Sequence, residues 1–491
     1  MKKTVKFVKD LFLSERLSDT LVYIYTAAVV LYQLLYQIIP VRQVIYFLGL
    51  DIVSSLLAVA GFGLFAWDLL SRRVFLKRKI TWVLIALIGI MGVSALVRYN
   101  YGLVNNAKAI IWQVAQMLVI FPLFERLTES KMFDMLKMIF VIFSAFAIPC
   151  IFVSFYQYYT RMHYIISVGD STLNQGFSTG RLFGVFGSMH FTTLIFITLA
   201  ILAVYFGIKA SKKWLKAIYF ASAVLYFVYS TATGTRSIII GVLCAVLLVG
   251  YFVAKRLLKN VCADKKALNV TLRCVASIVA VTVVFLCFMG TTKLLTVSNS
   301  LVYNAIESGQ SSTPGGVSKP GHDTELERDD VDISNVSNNR FTIWGEYFDI
   351  VFDKPVSTVL GLSPGEYQNV IRQEYSDKFI VQYIKESHPS MYERGYIYDT
   401  HSAYVGALIM TGVAGVIALF VFLIIGFVKL LKALYKKQSA VLLTLFGALV
   451  FILVTSFFDS DLFFRCSSTS VLFWMIAGFA LKYCYMDNKG K

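Results

Sequence analysis

Four side chains stand where a charge or an imidazole could act on a substrate. Arg236 opens an apolar run in "TGTRSIIIGVL", and Arg340 opens "NNRFTIWGEYF". Arg181 sits in the glycine-rich "STGRLFGVFGSMH", and His401 in "YDTHSAYVGALIM". A guanidinium presents a fork of donors that fits phosphate oxygens. A helix N-terminus adds unpaired N–H groups that favour the same anions, and the glycines near Arg181 let backbone approach closely. Three such groups meeting in space would hold a polyanion, with pyrophosphate the natural candidate. The alternative is that each arginine snorkels to lipid phosphates or pairs with a loop carboxylate. A histidine at a helix end can be neutral near pH 7 and take a proton from a hydroxyl; a purely structural role is its alternative.

The other titratable groups have weaker settings. His163, His190, His322 and His388 lack such surroundings, although His190 is close to Arg181. Asp459 and Asp461 in "FFDSDLFFRC" have the spacing of a DxD metal motif, yet beside Arg465 they read as an ion-pair cluster. "ERDDVD" at 327–332 reads as solvated charge. No strong metal pattern and no glycine-rich nucleotide loop is present, so neither a metal nor another cofactor is expected. Seven cysteines show no disulfide or zinc spacing.

The elements that must position these groups are apolar. The chain is 57% hydrophobic and 15% charged, with mean hydropathy +0.68. Long apolar runs predict an all-α polytopic membrane protein of about twelve transmembrane helices. The expected spans are 21–40, 44–67, 80–97, 107–124, 135–158, 189–207, 214–231, 236–254, 270–289, 402–431, 439–458 and 466–483. The first is expected to be retained, because the basic N-terminus is too broken for a signal peptide. The implied organisation is helices one to nine in 1–289, a large loop over 290–401, and helices ten to twelve with a tail in 402–491.

Basic residues set the orientation. "SRRVFLKRK", "KASKKWLK", "AKRLLKNVCADKK" and "KLLKALYKK" all fall on one side if the spans are right, and the opposite connections are mostly poor in Lys and Arg. That pattern predicts a plasma-membrane protein with both termini cytoplasmic and the long loop outside. The loop carries 9 basic and 16 acidic residues, a net of −7, so the remainder carries +24 of the overall +17. The positive charge is therefore topological, and nucleic acid is not an expected partner. Within the loop, 307–339 reads as flexible. Residues 340–386 read as helices with two apolar stripes, one of Phe341, Trp344, Phe348, Val351 and Phe352, the other of Tyr367, Val370, Ile371, Tyr375, Phe379 and Tyr383. These helices either cover a cavity at the membrane surface or pack on each other.

In order, "RLFGVFG", "TGTRSIIIGVL", "RFTIWGEYFDIVFDKPVSTVLGLSPGEY" and "THSAYVGALIMTGVAGV" resemble the bacterial O-antigen polymerase and ligase superfamily. The resemblance covers roughly 175–430 closely. It implies a GT-C-like membrane fold and a metal-independent, inverting glycosyltransferase. The implied donor is an oligosaccharide on undecaprenyl pyrophosphate, with a flippase and a chain-length regulator as further partners. Arg236 and Arg340 match the family's phosphate-binding arginines, Arg181 matches a further family arginine, and His401 matches the base. "GSMH" departs from the Pro-Asn that often follows the glycine, which leaves Ser188 to His190 without an assigned role.

Three functions remain open at this stage. A polymerase would join lipid-linked repeat units into O-antigen, capsule or exopolysaccharide. A ligase would move a finished glycan to another acceptor. A flippase or other transporter also fits about twelve helices, with Asp51 in its favour, but its charges should lie near mid-membrane and not at one face.

Overall fold

The computed structural model describes residues 14–168, 171–258, 261, 266–310, 340–437 and 439–485. His322, "ERDDVD" and the rest of 311–339 lie outside the described residues, as does the Asp51 side chain.

Eleven described helices are long and apolar enough to cross a membrane. The elements are α1 (Glu15–Leu35), α2 (Ile39–Phe47), α3 (Val53–Leu70), α4 (Lys79–Val97), α5 (Leu103–Val114), α6 (Glu129–Thr160), β1 (His163–Val168), β2 (Ser171–Ser178) and β3 (Arg181–Gly184). After them come α7 (Met189–Lys209), α8 (Lys213–Ala232), α9 (Arg236–Leu257) and α10 (Lys266–Gln310). The loop holds α11 (Arg340–Phe352), α12 (Pro355–Leu360), α13 (Tyr367–Glu374), α14 (Phe379–Ser387) and α15 (Pro389–Glu393). The chain closes with α16 (Ala403–Lys436), α17 (Ala440–Thr455) and α18 (Ser468–Tyr485). The twelfth expected stretch is α18, which the other helices enclose: all its residues from Ser468 to Leu481 are buried. Trp474 at its middle meets Phe121 and Phe422 with ring centroids 5.9 and 5.4 Å apart.

Four features depart from the sequence-based spans. The second span starts only at Val53, because the left-handed Gly49 separates it from α2. The fourth passes from α5 into a π-turn over Ala115–Ile120. Residues 163–184 form an antiparallel sheet in the order β1-β2-β3. The ninth helix does not stop at 289 but continues as helix to Gln310. Its extension is held by Arg161, which bonds Asn299 at 2.9 Å and stacks 4.1 Å from the Tyr303 ring centroid.

The loop helices are fastened to one end of the bundle. Arg98, just past α4, bonds Glu374 at 3.0 Å and Ser357 at 2.7 Å, and Lys354 bonds Glu374 at 2.7 Å. Buried Asn106 accepts from Ser363 at 2.5 Å and from the Gly365 N–H at 2.8 Å. A further junction lies in α16, whose helical backbone breaks at Gly412 (φ 63, ψ −170). There the end of α12 inserts, and the Leu362 N–H donates to the Ile409 carbonyl at 2.7 Å. Non-helical backbone at such depth is tolerated because protein satisfies it.

The loop helices bury part of each expected stripe against their neighbours. Ile343, Tyr347, Ile350 and Val351 of α11 are buried, whereas Phe341, Phe348 and Phe352 from the anticipated stripe point outward. The face that packs is thus offset from the stripe read in the sequence. Tyr367, Val370, Ile371 and Tyr375 are buried as a group, while Phe379 and Tyr383 are partly exposed.

The four basic connections lie at the end opposite the loop, where α3 passes to α4, α7 to α8, α9 to α10 and α16 to α17. Buried Arg126 ties that end together, bonding Asp68 at 2.5 Å and Asp19 at 2.9 Å.

Candidate functional site

His401 sits between the loop and the bundle. It precedes Ser402, whose hydroxyl caps α16 by accepting from the Val405 N–H at 3.4 Å. Its own backbone is left-handed (φ 47), a conformation that a non-glycine residue keeps only where its surroundings enforce it. Helix α11 supplies that constraint. The Trp344 indole donates to the Thr400 carbonyl at 2.8 Å, and the Tyr347 hydroxyl donates to the Tyr398 carbonyl. Arg340 lies one turn before Trp344 on the same helix, so the clamp that fixes His401 also brings Arg340 to it. Arg340 stacks with its guanidinium carbon 5.7 Å from the Phe458 ring centroid.

Asp399 and Arg465 complete this centre. Arg465 bonds Asp399 at 2.7 Å, Asp461 at 3.1 Å and the Tyr367 hydroxyl at 2.9 Å. The Ser460 hydroxyl also donates to Asp399. The π-turn holds the Arg465 segment from behind, through a bond from the Gln116 amide to the Arg465 carbonyl at 3.3 Å. Of the two aspartates, Asp461 thus joins Asp399 in an ion-pair cluster around Arg465, while Asp459 lies buried beside them. Among the described residues, no group of three or more His, Cys, Asp or Glu side chains could hold a metal ion.

Charge in the cluster is sorted by burial and partners. Burial pushes the His401 imidazole below its ordinary value; Asp399 pulls it back up, while Arg340 and Arg465 push it further down. The net direction favours neutral imidazole. Burial alone would raise the Asp399 carboxyl, but Arg465, His401 and Ser460 together hold it below the usual range. Burial raises Asp461 to about 6 against the pull of Arg465. Burial also pushes Asp459 far up, with Asp461 and Asp399 adding to it.

The second group of arginines stands on α9 and the sheet. Arg236 is exposed at the first position of α9, and no side chain caps that helix N-terminus. Arg181, at the start of β3, lies against Gly234: a Cβ built there would be 3.6 Å from the Arg181 Cγ. The threonines before Arg236 turn inward. Thr233 and Thr235 are buried, their hydroxyls 3.0 Å apart, and Thr193 reaches Thr233 at 3.4 Å. They lock the turn and so fix the helix entry behind Arg236. Helix α9 runs along α17, where Gly241 faces Phe451 and Thr455. One turn before Gly241 comes Arg236, and one turn past Thr455 comes the Phe458 ring that carries Arg340. Both arginines therefore stand at the loop end of α17.

On its other side His401 opens onto a cavity of about 560 Å³, lined by Tyr367, Tyr383, Tyr398, Asp399 and Arg465 among others. His388 lines the same cavity. His163 lies in β1 and His190 in the first turn of α7, outside that lining.

Asp399, Tyr383 and Tyr398 were not singled out as site residues in the sequence. For Asp399 a signal existed, because it stands two residues before His401. Arg465 was noted only as a partner of the nearby aspartates. Its bond to Asp399, 66 positions away in sequence, had no local signature.

Residues 221–420 match the family model of O-antigen ligase. No curated relative matches the chain. The matched segment contains Arg236, Arg340 and His401, so the chain resembles that family over this stretch, and its apolar helices mark a multi-pass membrane protein.

Proposed function

We propose that this protein is a polymerase, joining oligosaccharide repeat units carried on undecaprenyl pyrophosphate into a surface polysaccharide at the outer face of the plasma membrane. The observation that carries this reading is the position of His401. It is buried enough to favour the neutral form, next to Arg340 on one side, and open to an aromatic cavity on the other. The basic connections at the far end support a cytoplasmic location there, which leaves the loop outside.

The chemistry follows from these positions. An acceptor hydroxyl attacks the anomeric carbon of the donor as the bond to the pyrophosphate oxygen breaks. His401 takes the hydroxyl proton. Attack from the face opposite the leaving group inverts the anomeric centre. Negative charge grows on the departing pyrophosphate, so Arg236, Arg340 and Arg181 stabilise the transition state more than the ground state. The uncapped first turn of α9 adds N–H donors to the same charge. No metal is needed for these steps.

The family description favours a second reading, in which a finished glycan moves to a different acceptor. The donor chemistry is the same. Transport is less well supported, because Arg236, Arg340 and His401 gather at one end of the bundle.

Complementation of a deletion strain tests the reading. Wild type should restore long polymer on a gel of surface glycan, and His401→Ala should leave single repeats on the lipid. Polymer that forms but stays on its lipid carrier in the deletion strain would identify a ligase, and unchanged glycan in every variant would overturn the catalytic assignment. In membranes with a controlled amount of protein, Arg236→Ala and Arg340→Ala should each slow transfer by about 10- to 100-fold, the loss of a charge-assisted hydrogen bond. Lysine at either position should recover part of that rate, since it restores charge but not the fork.

A further inference from the structure

The cavity beside His401 has walls unlike a pyrophosphate or lipid site. We infer that it is the acceptor subsite and takes the terminal pyranose of a neutral saccharide, stacked on Tyr383 and Tyr398. This rests on the glycan-transfer reading above and specifies its second substrate.

The aromatic lining is continuous. His388 meets Tyr383 at 6.2 Å between ring centroids, Tyr383 meets Tyr398 at 5.0 Å, and Tyr398 meets His401 at 5.8 Å. The last two contacts are edge-on, at 65° and 73°. A ribbon of rings thus leads from the rim to the proposed base. A pyranose carries a face of C–H groups whose polarised hydrogens suit the negative face of an aromatic ring. Its hydroxyls need polar partners at the edge of that face, and Gln368, His388 and Asp399 line the same cavity.

Charge and size select among ligands. The arginine in the lining, Arg465, is already held by Asp399, Asp461 and Tyr367, so it is poorly placed to hold a phosphate. An acyl chain would leave the polar groups of the lining unpaired. The volume of about 560 Å³ lies within the range of about 300–1,000 Å³ of small-ligand pockets. The backbone behind the rings is fixed: the Tyr398 N–H donates to the Ile380 carbonyl at 3.0 Å, which joins α14 to the His401 segment. Tyr383 is 37% exposed, so its ring can be removed without opening the core.

The test uses full-length protein in nanodiscs and two probes titrated separately. One is the lipid-free repeat-unit oligosaccharide released by mild acid from the strain's own carrier lipid; the other is undecaprenyl pyrophosphate. Tyr383→Ala and Tyr398→Ala should each weaken oligosaccharide binding about tenfold and leave undecaprenyl pyrophosphate binding within about twofold. Tyr383→Phe should bind the oligosaccharide as wild type does, because the ring remains. Unchanged oligosaccharide binding in both alanine variants overturns the inference. So does a wild type that binds undecaprenyl pyrophosphate but no oligosaccharide. A wild type that binds neither probe sinks the glycan-transfer reading itself, and the inference with it.

Discussion

His401→Ala is expected to lower the rate of glycosyl transfer by about 10²–10⁴-fold, the usual contribution of a positioned general base. Undecaprenyl pyrophosphate binding should change little, because the arginines that would hold it remain. The sign of the pH dependence follows from the surroundings. Burial lowers the imidazole pKa below its ordinary 6.5, and the residue is therefore mostly neutral at and above that pH. The rate should fall as pH drops through the lowered pKa, placing the acid limb of kcat/KM below 6.5. The neighbours move that limb in opposite directions. Asp399 raises the His401 pKa, so Asp399→Asn should shift the limb to lower pH. Arg340 lowers it, so Arg340→Ala should shift the limb to higher pH while slowing the reaction. A flat profile in wild type, or equal limbs in all three proteins, would remove His401 from the role of base. The same linkage acts on stability: a depressed histidine pKa contributes above the unfolded value and is lost as pH falls through the folded one.

Gly412→Ala should cost the fold itself. Gly412 and Gly361 each occupy the region of positive φ with ψ near ±180° that essentially only glycine enters. They also face each other. A Cβ on Gly361 would sit 2.6 Å from the Gly412 and Thr411 backbone nitrogens, and one on Gly412 would overlap Val359 and the Gly361 nitrogen. Backbone on both sides leaves nothing to yield. Strain alone costs about 1–3 kcal/mol, and expulsion of α12 would also free the Ile409 carbonyl at depth. With a total stability of about 5–15 kcal/mol, the variant should show a clearly lower Tm and reduced abundance in the membrane. Gly426→Ala in the same helix is the control. Nothing lies within 4 Å of a Cβ there, so it should be neutral or stabilising by up to about 1 kcal/mol. Equal melting of the two variants would show that the inserted junction does not support the fold.

The membrane plan was legible because apolar runs of span length have few other uses in water-facing chains. The loop boundary was less so. Thr291 to Asn304 carry enough polar residues to read as a connection, yet Arg161, Asn299 and Tyr303 fix them as helix through contacts distant in sequence. The sheet of 163–184 was hidden by its mixed composition and by a register set only through pairing. For the site, Arg236, Arg340 and His401 stood out because charge at the edge of an apolar run is conspicuous. Asp399 and Arg465 acquire meaning only from each other. The aromatic walls of the cavity were visible as residues but not as a surface, since Tyr383 and Tyr398 lie on different segments joined by one backbone bond.

The junction at Gly412 also bears on how the molecule is made. Gly361 leaves the ribosome 51 residues ahead of the glycine that receives it, and Asp399 leaves 66 residues ahead of Arg465. The loop segment must therefore wait in place before its socket and its counter-charge exist. A chain halted between His401 and Arg465 carries the arginines and His401 but not the partner that holds Asp399. The cluster around His401 is thus complete only once Arg465, just ahead of the last helix, has been made.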